Sequence, residues 1–516
     1  MARAWEHAIG LRSVDAFSQP KQLIELQPVS APRSDQSAPL PSRREERPGR
    51  QRRSVLIYLA AAALLLALLA TILIIEALRM KNPPPAPLAA VPRGWGGRFG
   101  VNLGAVFVPE PGFAASLFAE MPRPSPWDGD WASVVQATGR EAARARYLAH
   151  IDRYIDGPLL AELAAAGNTL LRVPLGFWNL LAFPGPGGGL HGCLDPSTAP
   201  ASQHVKHAAA AAAAAHEAVW SLSSDAGADY LPRLERLLVR AEAAGFTAVL
   251  LDMHAPACSA NGEEHGAVSL EGSKGLLLAS ATARNLTLRA TAAMASLLAS
   301  RTRLAWRAVE LLNEPGEAPS LYASYYEAAA AVVRQHAGVD VVLCSWTYQL
   351  EELAPIASRL GAWMDVHIYH HVARAAPELW ASEFASDLRQ MATAARASEG
   401  RLLVGEYTLA LAGGDGEGGS FIDFELLQYA RWQAAAFAAA GAAAMAYWNA
   451  FCELGESPWG YRRASSPLAA QDWCRWVYGF ASGEGECPAA WAPRAPSPGE
   501  LATTNDSSSG GSLGPG

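Results

Sequence analysis

The sequence predicts an α/β fold: a (β/α)8 TIM barrel, preceded by a disordered tail and a single transmembrane helix. Three observations carry the prediction. From Trp95 onward, short apolar runs alternate with longer Ala/Leu-rich stretches, the pattern of parallel strands joined by crossover helices. The apolar runs number eight, the count that closes a barrel. Polar or aromatic residues follow the same end of almost every run, and in such barrels that end carries the functional groups.

The 516 residues leave room for one large domain besides the flanking segments. A net charge of -8 gives no nucleic-acid signal. Sixteen tryptophans suit sugar-stacking platforms, although most Trp in a large domain is core. Residues 1–53, rich in Pro, Ser, Gln and Arg, are expected to be a disordered tail. Arg43, Arg44, Arg47, Arg50, Arg52 and Arg53 make its end basic. Residues 54–78 follow as a membrane-spanning helix. Val55 to Ala77 is almost all Ala, Leu and Ile, with Glu76 its only charge, and about 20 apolar residues cross a bilayer. Arg-rich flanks stay on the cytoplasmic side. The expectation is a single-pass type II protein with its C-terminal body extracellular or luminal, in the cell membrane or the secretory pathway. All six cysteines lie after the span, which fits an oxidising compartment but leaves their pairing open. Sequons at Asn285 and Asn505 agree with that compartment.

Residues 79–93 form a Pro-rich stalk. The barrel domain spans 94–487. Its expected strands are Phe99–Leu103, Thr169–Val173, Ala248–Asp252, Ala308–Leu312, Val341–Ser345, Met364–Ile368, Leu402–Gly405 and Ala443–Tyr447. Helices are expected over Leu159–Ala166, Tyr230–Ala244, Leu321–Gln335, Glu383–Ala397 and Leu426–Ala439. Residues 184–228, with a Pro/Gly run and polyalanine, read as an insertion loop, and 488–516 as a disordered tail. A doubly wound open sheet is disfavoured, because no Gly-rich phosphate loop follows the first strand.

Candidate site residues are those at the strand ends. Asn102 lies at the end of strand one and Arg172 at the end of strand two, with Trp178 just beyond it, and His254 and Asn261 follow strand three. Asn313-Glu314-Pro315 ends strand four. His367 and Tyr369 belong to strand six, Glu406 to strand seven and Trp448 to strand eight. Glu314 and Glu406 stand out, because two facing carboxyl groups are what glycosidic cleavage requires.

Several of these segments, in this order, resemble glycoside hydrolase family 5, and most its exo-β-1,3-glucanase branch. They are Gly100-Val101-Asn102-Leu103-Gly104, Leu171 to Trp178, Asp252 to Gly262, Asn313-Glu314-Pro315, His367-Ile368-Tyr369 and Gly405-Glu406-Tyr407. The resemblance covers roughly 95–480. It implies a retaining β-glycosidase in which Glu314 is the acid/base and Glu406 the nucleophile. It further implies that Asn313 holds the sugar 2-hydroxyl, with Arg172, His254, His367 and Tyr369 around the nucleophile and the reacting sugar. Arg172 would favour the ionised form of Glu406, and Glu314 must begin protonated. Trp448 and Trp178 would offer apolar faces to the sugar. The family's Gly-Gly-Trp after strand one is here Gly104-Ala105-Val106, and its Trp-Thr-Trp-Lys at strand eight is Ala446-Tyr447-Trp448-Asn449. Those changes border the sugar sites, so they bear on which β-glucoside is taken. Other readings stay open: hydrolysis of another β-glucan or a glucosyl lipid, glucan transglycosylation, or glucan binding without turnover. No cofactor and no metal set is expected; His370-His371 beside His367 reads as a rim histidine cluster. A monomer is expected.

Overall fold

The computed structural model describes residues 98–119, 131–165, 167–182, 229–262, 275–369, 384–408 and 432–451, with Glu453 and scattered positions between 193 and 220. The expected tail, membrane helix and stalk, most of the insertion and the C-terminal tail lie outside these residues. Among the described residues, no helix is long and apolar enough to cross a membrane.

The eight strands are β1 Arg98–Asn102, β2 Leu170–Gly176, β3 Ala248–Ala255, β4 Trp306–Glu310, β5 Asp340–Trp346, β6 Trp363–Ile368, β7 Leu402–Tyr407 and β8 Ala444–Tyr447. They close in sequence order into one barrel, β8 pairing with β1, with every pair parallel. This is the TIM-barrel fold expected from the alternation of runs. Helices between the strands include α1 Trp131–Thr138, α2 Arg140–Asp156, α3 Leu159–Ala165, α4 Leu231–Ala244, α5 Ala281–Arg301, α6 Pro319–Val333, α7 Leu350–Arg359 and α8 Ala385–Ala397.

Local sequence explains the helices. In α4, Leu234, Leu237, Leu238 and Ala241 are buried, a stripe at helical spacing that joins the main hydrophobic core. Pro232 sits in its first turn, where a missing N–H costs nothing. Gly245 stops it in the left-handed region at φ 106°, a conformation glycine adopts without a Cβ penalty. In α5, the Ser280 hydroxyl accepts the Ala283 amide at 3.1 Å and caps the first turn.

The barrel interior is built by alternation, since every second residue of a strand points inward. Leu170, Leu250, Ala308, Val342, Leu403 and Ala446 form an apolar cluster of their own inside the barrel. Two residues further along β2, β3, β4 and β5 the interior turns polar: Arg172, Asp252, Glu310 and Cys344, with Asp365 of β6 beside Cys344 in register. All five are 0 % exposed. At the glycines of this lattice neighbours take the space a side chain would fill. A Cβ on Gly405 would lie 1.8 Å from Asp365 Oδ2.

Two irregularities matter for the site. The β4 strand ends at Glu310, not at Leu312 as the apolar run suggested. The Leu311 amide still bonds to Val342 O at 3.0 Å and the Asn313 amide to Met253 O at 3.1 Å. The segment thus stays held between β3 and β5 while it turns, and Glu314 takes a left-handed backbone, φ 39°. In β7, the register against β6 jumps from Val366↔Val404 to His367↔Glu406. Leu403 points inward, so unbroken alternation would face Gly405 inward and Glu406 outward. The bulge re-aims Glu406 toward the interior, as bulges beside functional sites do.

Because the Gly100 position is filled from the neighbouring strand, with a Cβ there lying 2.5 Å from Leu170 O, Gly100→Ala should overpack the β1–β2 contact. The expected loss is about 1–3 kcal/mol, read as a lower urea midpoint with an unchanged slope.

Candidate active site

Arg172 stands at the centre, rising from β2. Its Nε donates to Glu310 Oε2 at 2.9 Å. Nη1 donates to Glu406 Oε1 at 2.6 Å and to Asn102 Oδ1 at 3.0 Å. Nη2 donates to Asn313 Oδ1 at 2.8 Å and Glu310 Oε1 at 3.1 Å. All five N–H groups are thereby placed. Asp252 Oδ2 lies 3.1 Å from Nη2, and Asp365 Oδ2 3.7 Å from Nε. Burial works against the charge, but Asp252, Glu310 and Glu406 outweigh it and hold the guanidinium firmly protonated.

One guanidinium among so many carboxyl groups leaves an excess of negative charge. Glu310 feels it: burial raises its pKa well above the usual carboxylate range and Asp252 and Asp365 add to the rise, while Arg172 pulls the other way. His367 feels it too. Burial alone would lower its pKa, yet Cys344, Glu406 and Asp365 raise it well above that of free imidazole. Its Nδ1 is 2.6 Å from Glu314 Oε1 and 3.5 Å from Glu406 Oε2. Its Nε2 is 3.6 Å from Cys344 Sγ and 3.7 Å from Asp365 Oδ2.

The two carboxyl groups singled out in the sequence are brought together. Oxygens of Glu314 and Glu406, with a nitrogen of His367, all lie within 4.8 Å of one another. Their settings differ. Glu406 accepts from Arg172 on one oxygen and from the Tyr369 hydroxyl on the other. Burial and the charges of Glu406 and Glu314 raise the Tyr369 pKa, so it remains a phenol donor. Glu314 instead faces His367. Its backbone carries the left-handed φ noted above, in a region that costs a non-glycine residue of order 1 kcal/mol or more. Asn313, one residue earlier, accepts from Arg172 at its Oδ1, and its buried Nδ2 finds no protein partner.

The other candidates are more dispersed. His254 holds Asp252 Oδ2 at 2.6 Å through Nδ1, and its ring stacks on Trp448 with centroids 5.6 Å apart and planes 6° apart. Trp448 is only 3 % exposed; it fits because Gly104 has no side chain, a Cβ there lying 2.5 Å from the indole. Trp178 is 0 % exposed and packs edge-on against Phe177. Neither tryptophan therefore presents an open face in the way the sequence suggested. Gly176 explains Trp178: without a Cβ, it lets the indole fold back over the strand end. Asn261 lies on the loop after β3, whose Ala260 carbonyl accepts the Gly316 amide at 3.2 Å. That loop is tied by a Cys193–Cys258 disulfide, Cα–Cα 5.3 Å, the pairing the sequence left open. His370 and His371 lie outside the described residues.

The sequence reading passed over Glu310, Asp252, Asp365 and Cys344. The available signal was parity: each sits two residues beyond an inward apolar position. It also named no residue after strand five, where Tyr348 is 69 % exposed. Among the described residues, two donor sets have spacings that suit a metal, Glu314–His367–Glu406 and Glu310–Cys344–His367. Each contains a carboxylate bonded to Arg172, whose charge opposes a cation there.

No family model matches the chain. Over 89 residues it is 35% identical to "Probable glucan 1,3-beta-glucosidase A" of Aspergillus terreus, which is 17% of this chain and 20% of that protein. Over 85 residues it is 34% identical to "Glucan 1,3-beta-glucosidase" of Blumeria graminis, 16% of this chain and 20% of that protein. The chain thus spans a fifth of the length of the curated relatives it matches. Among solved structures it is similar to a protein called AoRut, with a TM-score of 0.49 and 16% identity over 69% of this chain and 88% of that one. It is also similar to the rutinosidase from Aspergillus niger, TM-score 0.48 and 13% identity over 75% and 97%. A third is Thermotoga maritima Cel5A with mannotriose, TM-score 0.42 and 14% identity over 76% and 99%. These likenesses assign no residue a role.

His367 gives a pH test of the site. A raised folded-state pKa means that its pairing with carboxylates stabilises the protein fully below the unfolded value of about 6.5 and is lost as pH rises through the folded value. The stability advantage of the wild type over His367→Gln should therefore be largest near pH 6 and shrink toward pH 9 in urea titrations.

Proposed function

We propose that this chain is a retaining β-glycosidase acting on β-glucosidic bonds, with glucan exo-1,3-β-glucosidase activity as the leading reading. One observation carries the chemistry: two carboxyl groups whose oxygens approach within 4.8 Å, set in unlike surroundings. A separation of about 5–5.5 Å belongs to retention through a covalent intermediate, whereas inversion needs about 6.5–9.5 Å to fit a water. Glu406, gripped by Arg172 and Tyr369, suits the nucleophile. Glu314 is assigned the acid/base, with the proton to be delivered shared between its carboxyl and His367 Nδ1 at 2.6 Å.

In the first step a Glu406 oxygen attacks the anomeric carbon as the bond to the leaving oxygen breaks, and the Glu314 proton goes to that oxygen. Glu406 is then a glycosyl ester and has lost its charge. Glu314, now a carboxylate, takes a proton from water, which attacks the anomeric carbon and releases Glu406. Asn313 Nδ2, buried and without a protein partner, is suited to the sugar 2-hydroxyl. The glucan reading draws support from the short stretches of identity with proteins named glucan 1,3-β-glucosidases. The placement we favour is a type II anchor at residues 54–78 with the barrel outside the cytoplasm. The Cys193–Cys258 disulfide supports an oxidising compartment.

Glu314→Gln should lower hydrolysis of an aryl β-glucoside by about 10²–10⁴-fold, and Glu406→Gln by at least as much. Substantial turnover by either purified variant contradicts these roles. A product profile on β-1,3-, β-1,4- and β-1,6-glucans tests the substrate: laminarin untouched while another glucan is cleaved removes the 1,3 assignment but leaves the chemistry.

A further inference from the structure

One buried group beside the two carboxylates has no part in the steps above. Cys344 lies on the inward face of β5, 0 % exposed and free of any disulfide. Its sulfur accepts the Glu314 backbone amide at 3.4 Å. The same sulfur is 3.6 Å from His367 Nε2, and His367 Nδ1 is 2.6 Å from Glu314 Oε1. A closed circuit results, from the Glu314 amide through sulfur and imidazole back to the Glu314 carboxyl. Glu314 is also the residue whose backbone is left-handed, φ 39°, on a segment that has already left the strand. Such a conformation persists only where the surroundings over-determine it.

The geometry points to Cys344 as a positioning residue for Glu314, one that anchors its amide and, through His367, orients its carboxyl toward the leaving oxygen. This rests on reading Glu314 as the acid/base. Burial and the charges of Glu310 and Asp365 keep the sulfur a thiol, against the pull of His367. As a thiol its sulfur accepts from the amide and from the Nε2–H of the protonated imidazole. Alanine removes both contacts. Serine keeps an acceptor on a shorter bond.

The test uses Cys344→Ala and Cys344→Ser in the full-length chain and compares kcat/KM on two substrates. A phenyl β-glucoside needs its leaving oxygen protonated; a dinitrophenyl β-glucoside does not. Misplacing the acid should cost about tenfold or more on the phenyl substrate and leave the dinitrophenyl substrate within about threefold, with serine intermediate. A purely structural loss would lower both equally. Equal losses, or no loss, overturn the proposal while the glycosidase reading survives. A wild type inert toward both substrates overturns the two together. Thermal midpoints identify the folded variants, and serine alone carries the comparison if alanine does not fold.

Discussion

The guanidinium of Arg172 is the interaction on which the barrel mouth depends. It is buried, and each of its N–H groups is given to a side chain of another strand or strand end: Asn102, Glu310, Asn313 and Glu406. A buried charge is tolerated only when paired and fully bonded. Removing such a partner from a buried network costs about 3–5 kcal/mol, because the groups left behind stay charged or unbonded. The same bonds fix four side chains relative to one another. Structure and chemistry share one cause here, since the group that makes the polar layer tolerable also holds Glu406 in place.

The surplus of carboxyl groups has a second consequence. It places a proton-rich imidazole, His367, between the two carboxylates that the proposed chemistry must tell apart. Glu406 gains a guanidinium and a phenol; Glu314 gains the imidazole and a thiol beneath it. Two identical side chains are thus differentiated by neighbours, the usual route by which paired carboxyl groups divide acid and nucleophile roles. The β7 bulge is what admits Glu406 to this company, and the early end of β4 is what brings in Glu314.

Much of this was legible in the sequence, for physical reasons. Apolar runs of strand length separated by helical stretches had few ways to fold other than a closed parallel barrel, and all eight runs are strands. Asn313-Glu314-Pro315 was visible because proline ends a ladder. The β4 end was misplaced because Leu311 and Leu312 are as apolar as a strand residue, while their pairing to Val342 and to the neighbouring β3 is irregular. The β7 bulge left no mark, since Leu402-Leu403-Val404-Gly405-Glu406 reads equally well with either face inward. Glu310 and Cys344 were overlooked because side-chain identity alone does not reveal parity; it emerges once Arg172 is known to point inward. Trp178 misled for the opposite reason. A tryptophan at a strand end looks like a platform, and only the missing Cβ of Gly176 shows that it folds into the core.

In the proposed double displacement Glu406 carries the sugar. Incubation with an activated 2-deoxy-2-fluoro-β-glucoside, which slows release of the intermediate, followed by mass spectrometry of the digested protein tests it most directly. One glycosyl adduct is expected, on Glu406, that reactivates slowly on removal of the reagent. An adduct on another carboxylate, or none while the enzyme continues to cleave aryl β-glucosides with inversion, would contradict it.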